Sequence, residues 1–102
     1  MALEWSAQAA ADLNDIFEFI AKDSPVYPRQ FAEAIFTATE TLTSFPDRGR
    51  RVPEADRDDI RELIYRRYRI IYRTSDNDIH IVAVVHGARD LASLKTMPWD
   101  VI

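Results

Sequence analysis

The chain has no cysteine, and only two of its 102 residues are glycine. Without thiols there can be no disulfide and no thiolate metal site, which fits a reducing compartment. With Gly49 and Gly87 far apart, no glycine-rich loop is available to cradle a phosphate. His80 and His86 lie six residues apart without a carboxylate at ligand spacing, so neither a metal site nor a cofactor is expected. No apolar run approaches the roughly 20 residues of a membrane-spanning helix. Met1 to Trp5 also lacks the basic start and apolar run of a secretory leader. The expectation is a soluble cytoplasmic protein with no membrane partner.

What is present reads as one domain over residues 1–102, with 47% hydrophobic residues to build a core and 29% charged residues to keep it soluble. The net charge of −4 conceals a strong segregation. Residues 1–47 hold eight acids against Lys22 and Arg29, whereas residues 48–73 hold nine arginines against five acids and contain no lysine. Such a run can be a solvated face paired across the fold. It can equally be a surface for carboxylate or phosphate, because arginine offers a planar, bidentate fork that lysine lacks.

Met1 to Trp5 reads as a short strand ending at Ser6, a helix N-cap. Leu13, Ile16, Phe17 and Ile20 follow at helical spacing, and the helix is expected to end near Lys22. The segment from Asp23 to Pro28 reads as a break, since its two prolines oppose a helix in the residues before them. A second helix carries Phe31, Ile35, Ala38, Leu42 and Phe45 on one stripe and stops at Pro46. Residues 47–59 read as a charged surface loop. Ile60 to Tyr65 and Tyr68 to Arg73 then read as strands joined at Arg66-Arg67, with Tyr68, Ile70 and Tyr72 on one face and Arg69, Ile71 and Arg73 on the other. After a turn at Asp76 to Asp78 comes the most apolar strand, with Ile79, Ile81, Ala83 and Val85 on one side and His80, Val82 and Val84 on the other. Few polar residues remain in it, so it is expected to be central and covered on both faces. The fold class is α+β: a strand, an antiparallel helical hairpin, and a small, mainly antiparallel sheet (β-α-α-β-β-β). The tail after Asp90 is expected to be loosely attached, with a short helix through Leu91 and Leu94.

Four stretches, "DLNDIFEFIAKDSP" at 12–25, "LTSFPDRGRRVPE" at 42–54, "IRELIYRRYRIIYR" at 60–73 and "IHIVAVVHGARDL" at 79–91, together resemble the RelE/ParE superfamily of toxins from type II toxin-antitoxin systems. The resemblance runs over nearly the whole chain and implies the same fold. It also implies one of two activities. RelE-like members are ribosome-dependent nucleases that cut messenger RNA, and ParE-like members poison DNA gyrase without catalysis. Arg69 and Arg89 resemble the two phosphate-binding arginines of the nuclease branch. The strand where that branch places lysines reads Ile60-Arg61-Glu62-Leu63, and no tyrosine occurs from Leu91 to Trp99.

The reading is therefore a monomeric ParE-like toxin with no catalytic residue, which inhibits gyrase by binding and is neutralised by a cognate antitoxin. Arg61, Arg69, Arg73, His86 and Arg89 are the candidates for target or antitoxin contact, with Arg61, Arg69 and Arg73 expected to crowd the sheet opposite the helices. The alternative is a ribosome-dependent endoribonuclease using Arg61, Arg69, His86 and Arg89, in which His86 would serve as acid or base, work to which imidazole is suited. A third reading is an inactive homologue kept as an antitoxin-binding module. His86 can also simply bond a loop, and Glu62 can be a structural ion pair at the sheet edge. Direct DNA reading by this chain is not expected, because its basic segment offers no helix for a major groove. The tyrosines 65, 68 and 72 read as packing residues with polar tips.

Overall fold

The computed structural model describes residues 2–100. Ala2–Trp5 forms β1, Ala7–Ala21 and Tyr27–Glu40 form α1 and α2, and Arg50–Arg51, Ile60–Tyr65, Tyr68–Ser75 and Asp78–His86 form β2 to β5. The sheet runs β1-β5-β4-β3-β2, with β1 parallel to β5 and every other neighbouring pair antiparallel. This is the expected α+β architecture with one addition. The segment 47–59, read from its charge and proline as a loop, contains β2, which pairs with Arg61 and Glu62 as a short edge strand.

The start of α1 follows from its cap. Ser6 is extended and its Oγ accepts the Ala9 N–H at 3.0 Å, while its own N–H donates to the Ile81 carbonyl at 2.9 Å, so the cap also fixes the helix to β5. Ala9 and Leu13 are buried, with Ile16 and Ile20 packed beside them. Seating Ala9 against the sheet sets the buried line at 9, 13, 16 and 20, so Phe17, expected in the core, lies at its rim with 38% exposure. Pro28 lies inside the first turn of α2 and not in the break. An N–H is not needed there, and the fixed proline φ suits the helix. Phe31, Ile35, Thr39 and Leu42 take the buried stripe; Ala38 is only half-buried. The helix tightens to a 3₁₀ turn at Thr41–Thr43, which swings Phe45 outward to 66% exposure and overturns its expected core place.

The sheet is covered on both faces. Leu13, Phe31, Ile35, Ile70, Tyr72, Ile79, Ile81 and Val84 form the helix-side core. Val52, Ile60, Ile71, Val82, Ala83, Val85, Leu91 and Trp99 form a second core on the far side. Strict alternation along β5 fails at one point. Ile71 pairs with Ala83 and Tyr72 with Ile81, leaving Val82 as an extra residue in a bulge. The bulge puts Val82 and Ala83 on the same face and moves Val84 to the helix side, reversing the expected assignment of residues 83 to 85. The tail is not loose either: Leu91 is fully buried and Trp99 is 3% exposed, because they close the apolar face that β5 turns away from the helices. Met1 of the expected first strand and the final Val101-Ile102 lie outside the described residues.

Candidate functional site

The arginine-rich segment is the hairpin of β3 and β4, closed at Arg66-Arg67 between the paired Tyr65 and Tyr68. Residues directly opposite in an antiparallel pair share a face. Arg61 is opposite Tyr72, on the helix-side face, whereas Arg69 is opposite Ile64 and Arg73 is opposite Ile60, on the far face. The expected crowding of Arg61, Arg69 and Arg73 in one region is therefore corrected by the period-two geometry of the strands.

Arg69 is 7% exposed. Its Nε donates to Glu62 Oε1 at 2.5 Å, and its two Nη groups donate to the two Glu54 oxygens at 2.8 and 2.7 Å, a bidentate fork. Glu62, whose side chain is wholly buried, takes Arg50 Nε on its other oxygen at 2.6 Å. Two acids and two bases thus close a chain of pairs that clasps residues 50–54 onto the sheet. Hydrogen bonding from Arg69 draws the Glu54 carboxyl down to a pKa of about 2, and the bond to Glu54 raises the Arg69 guanidinium above its ordinary value. The ion-pair reading of Glu62 is what the structure displays, but with Arg50 and Arg69 and not with its neighbour Arg61.

Arg61 and Arg73 are also turned to internal partners. Arg61 donates Nη1 to the Gly49 carbonyl and Nε to the Asp58 carbonyl, both at 2.9 Å, with Asp47 at 3.6 Å. Arg73 donates Nη1 to the Trp99 carbonyl at 3.0 Å and lies 3.8 Å from Asp59, whose carboxyl is held below its usual range chiefly by the Arg57 guanidinium. Between them Tyr72 donates its hydroxyl to the Pro46 carbonyl at 2.8 Å and accepts the Gly49 N–H at 2.9 Å, and burial pushes its pKa up. Gly49 is required by closeness: a Cβ there would lie 2.6 Å from the Glu62 carbonyl oxygen and 2.7 Å from the Tyr72 ring.

His86, the last residue of β5, and Arg89, on the loop after it, are both exposed. His86 Nδ1 accepts the Ala88 N–H at 3.1 Å, its carbonyl accepts the Arg89 N–H, and its ring meets the Tyr68 ring edge-on at 5.6 Å. His86 and Arg89 line a shallow cleft with Asp12, Asp15 and Tyr68. His80 lies in the sheet, with Nδ1 3.5 Å from Glu4 on β1. Among the described residues no group of three or more metal-ligating side chains converges.

Sequence reasoning did not single out Glu54, Arg50 or Asp12. Asp12 on α1 accepts the Val84 N–H at 3.0 Å on the β5 edge beyond the end of β1. Only the alternation of acids among the arginines of residues 50–59 hinted at the clasp. On the helix side, Trp5, Leu13, Phe17, Ala32 and Phe36 line an apolar groove of about 410 Å³, in which the Trp5 and Phe36 rings meet edge-on at 5.5 Å.

Residues 3–91 match the family model described as ParE toxin of type II toxin-antitoxin system, parDE. Toxin RelE2 of Caulobacter vibrioides (strain ATCC 19089 / CIP 103742 / CB 15) is 35% identical over 86 residues, covering 83% of this chain and 93% of that protein. A solved chain of a chromosomal ParDE TA system from P. aeruginosa superposes with a TM-score of 0.71 at 22% identity, covering 84% of this chain and 95% of that one.

Proposed function

This chain belongs to the ParE toxin family of type II toxin-antitoxin systems, and on that premise we propose that it inhibits DNA gyrase by binding, breaks no bond itself, and is neutralised by a cognate antitoxin. The observation that carries the reading is the state of Arg69. A nuclease needs cations free to stabilise a phosphate in its transition state. Arg69, which the nuclease alternative requires, spends its guanidinium on Glu54 and Glu62 with 7% exposure. Arg61 and Arg73 likewise serve the framework, so of the five candidates His86 and Arg89 are the two that face solvent. For the antitoxin, the groove carrying Phe17 and Phe36 suits the apolar stripe of an amphipathic helix.

One finding favours a second reading: the relative from Caulobacter vibrioides bears the name Toxin RelE2. In that case Arg61, Arg69, His86 and Arg89 would act on messenger RNA, and Arg69 would have to exchange its carboxylates for a phosphate on the ribosome. The two are separated by adding the purified chain to gyrase-catalysed supercoiling and, in parallel, to a reconstituted translation reaction. Inhibited supercoiling with intact messenger supports the proposal. Cleaved messenger with unaffected supercoiling overturns it.

A further inference from the structure

Of the nine arginines between residues 48 and 73, six meet a carboxylate within salt-bridge distance, namely 50, 51, 57, 61, 69 and 73. Arg48 gives Nη1 to the Thr41 hydroxyl. Among the described residues Arg66 and Arg67, at the hairpin tip, meet no carboxylate at all. Turn chemistry does not ask for them: Arg66 has φ 53 while Arg67 stays at negative φ, a pattern whose first position favours glycine. The Arg66 side chain is nevertheless held in place. Its guanidinium carbon lies 5.3 Å from the Tyr27 ring centre and 5.6 Å from that of Tyr65, with Nε 3.3 Å from the Tyr65 hydroxyl. Stacking fixes the guanidinium plane and leaves its outer Nη donors open to a bidentate acceptor. The Arg67 carbonyl accepts the Gly87 N–H at 2.7 Å, which ties the tip to the loop after β5, and a Cβ at Gly87 would come within 3.2 Å of that same oxygen.

These residues border a groove of about 330 Å³ lined also by Arg50, Pro53, Glu54, Ile64 and Arg69, in which the one carboxylate, Glu54, is already held by the Arg69 fork. Ile64, next to the last residue of β3, is 54% exposed, and Arg50 keeps 63% of its side chain exposed although Glu62 holds its Nε. We propose that this groove is a docking site for an extended acidic segment of a partner protein, with carboxylates on Arg66 and Arg67 and an aliphatic side chain laid over Ile64. The aliphatic lining distinguishes this occupant from a nucleic acid, because a phosphate backbone gains nothing by covering isoleucine and proline, whereas an acidic peptide with interspersed aliphatic residues satisfies both parts of the surface. The assignment rests on the reading of the chain as a protein-binding toxin but not on which target it inhibits.

The test is a low-salt NMR titration of the intact chain, following the arginine Nε–H and isoleucine methyl signals. The probe is a short synthetic peptide of glutamates interspersed with leucines; the comparators are its glutamine counterpart and a duplex DNA oligonucleotide. Signals of Arg66, Arg67 and Ile64 are expected to move with the glutamate peptide. The double variant R66A/R67A is expected to bind about tenfold more weakly or worse while its NMR spectrum still reports the native fold, and Ile64→Asp is expected to lose binding as well. No movement at these residues, equal binding of the glutamine peptide, tighter binding of DNA at the same residues, or full affinity of R66A/R67A would each overturn the assignment. Supercoiling inhibition, measured separately on the same variants, reports on the target reading independently.

Discussion

Replacing Arg69 with leucine tests whether the hairpin arginines clamp the fold or grip a partner. The substitution removes three charge-assisted hydrogen bonds. Glu54, with 25% side-chain exposure, can turn to water, but Glu62 has none and is left with Arg50 alone. Breaking a buried pair by deleting one partner costs about 3–5 kcal/mol, chiefly because the remaining charge stays desolvated. That is a large part of the roughly 5–15 kcal/mol that holds a small domain folded. In urea, with a slope near ~1.5 kcal/mol per molar, the unfolding midpoint of R69L is expected to fall by about 2–3 M. The double variant R69L/E62L is expected to recover part of the loss, since it no longer buries an unpaired carboxylate. A loss below ~1 kcal/mol for R69L, the value of an exposed ion pair, would refute the reasoning. So would a variant of normal stability that has lost its inhibitory activity, since Arg69 would then belong to the partner.

The same clasp gives the chain an acid response. Glu54 titrates near 2 in the folded state against an ordinary 4.5, so its contribution is fully present above pH 4.5 and is lost as pH falls through 2. The unscreened ceiling is about 3 kcal/mol, which water on the open side of Glu54 reduces to ~1 kcal/mol; urea melts of Glu54→Gln should lack this slope. Gly49→Ala drives a methyl into the Glu62 carbonyl and the Tyr72 ring, which the sheet cannot easily yield, and a loss of about 1–3 kcal/mol is expected by the same melts. Trp99→Ala opens a void over Val82, Ala83 and Val85, with an expected loss of about 3–5 kcal/mol and a lower melting temperature; a change under ~1 kcal/mol would mean that the tail does not seal the sheet.

The helical half of the fold was legible because its signals are local. Ser6 announces a cap, the apolar spacing announces two amphipathic helices, and the Arg66-Arg67 turn falls between two alternating strands. The errors have one cause. Phe17, Phe45 and residues 83 to 85 of β5 were placed by extending a regular period, and in each case tertiary packing interrupts that period: by the seating of Ala9, by a 3₁₀ turn, and by the bulge at Val82. A run such as Ile-Val-Ala-Val-Val is apolar at every position, so its composition carries no information about where a bulge falls.

The arginines were a harder problem of the same kind. Their number and their planar chemistry favour carboxylate or phosphate equally well, and nothing within the strands says whether the acceptor is internal. The answer lies in Glu54, Asp58 and Asp59, in a segment whose local reading was merely a solvated loop; β2 pairs with β3 and brings Glu54 onto Arg69, while Asp59 reaches Arg73 and the Asp58 carbonyl reaches Arg61. An arginine-rich strand next to an acid-rich segment of similar length is therefore ambiguous until pairing is known, and the informative arginines are those the acids fail to reach. Here Arg66 and Arg67 stand apart because a tight turn projects them beyond the end of the sheet, past the last residue of β3 and out of range of Glu54 and Glu62. Geometry, not charge count, separates the arginines that hold this fold together from those left over for another molecule.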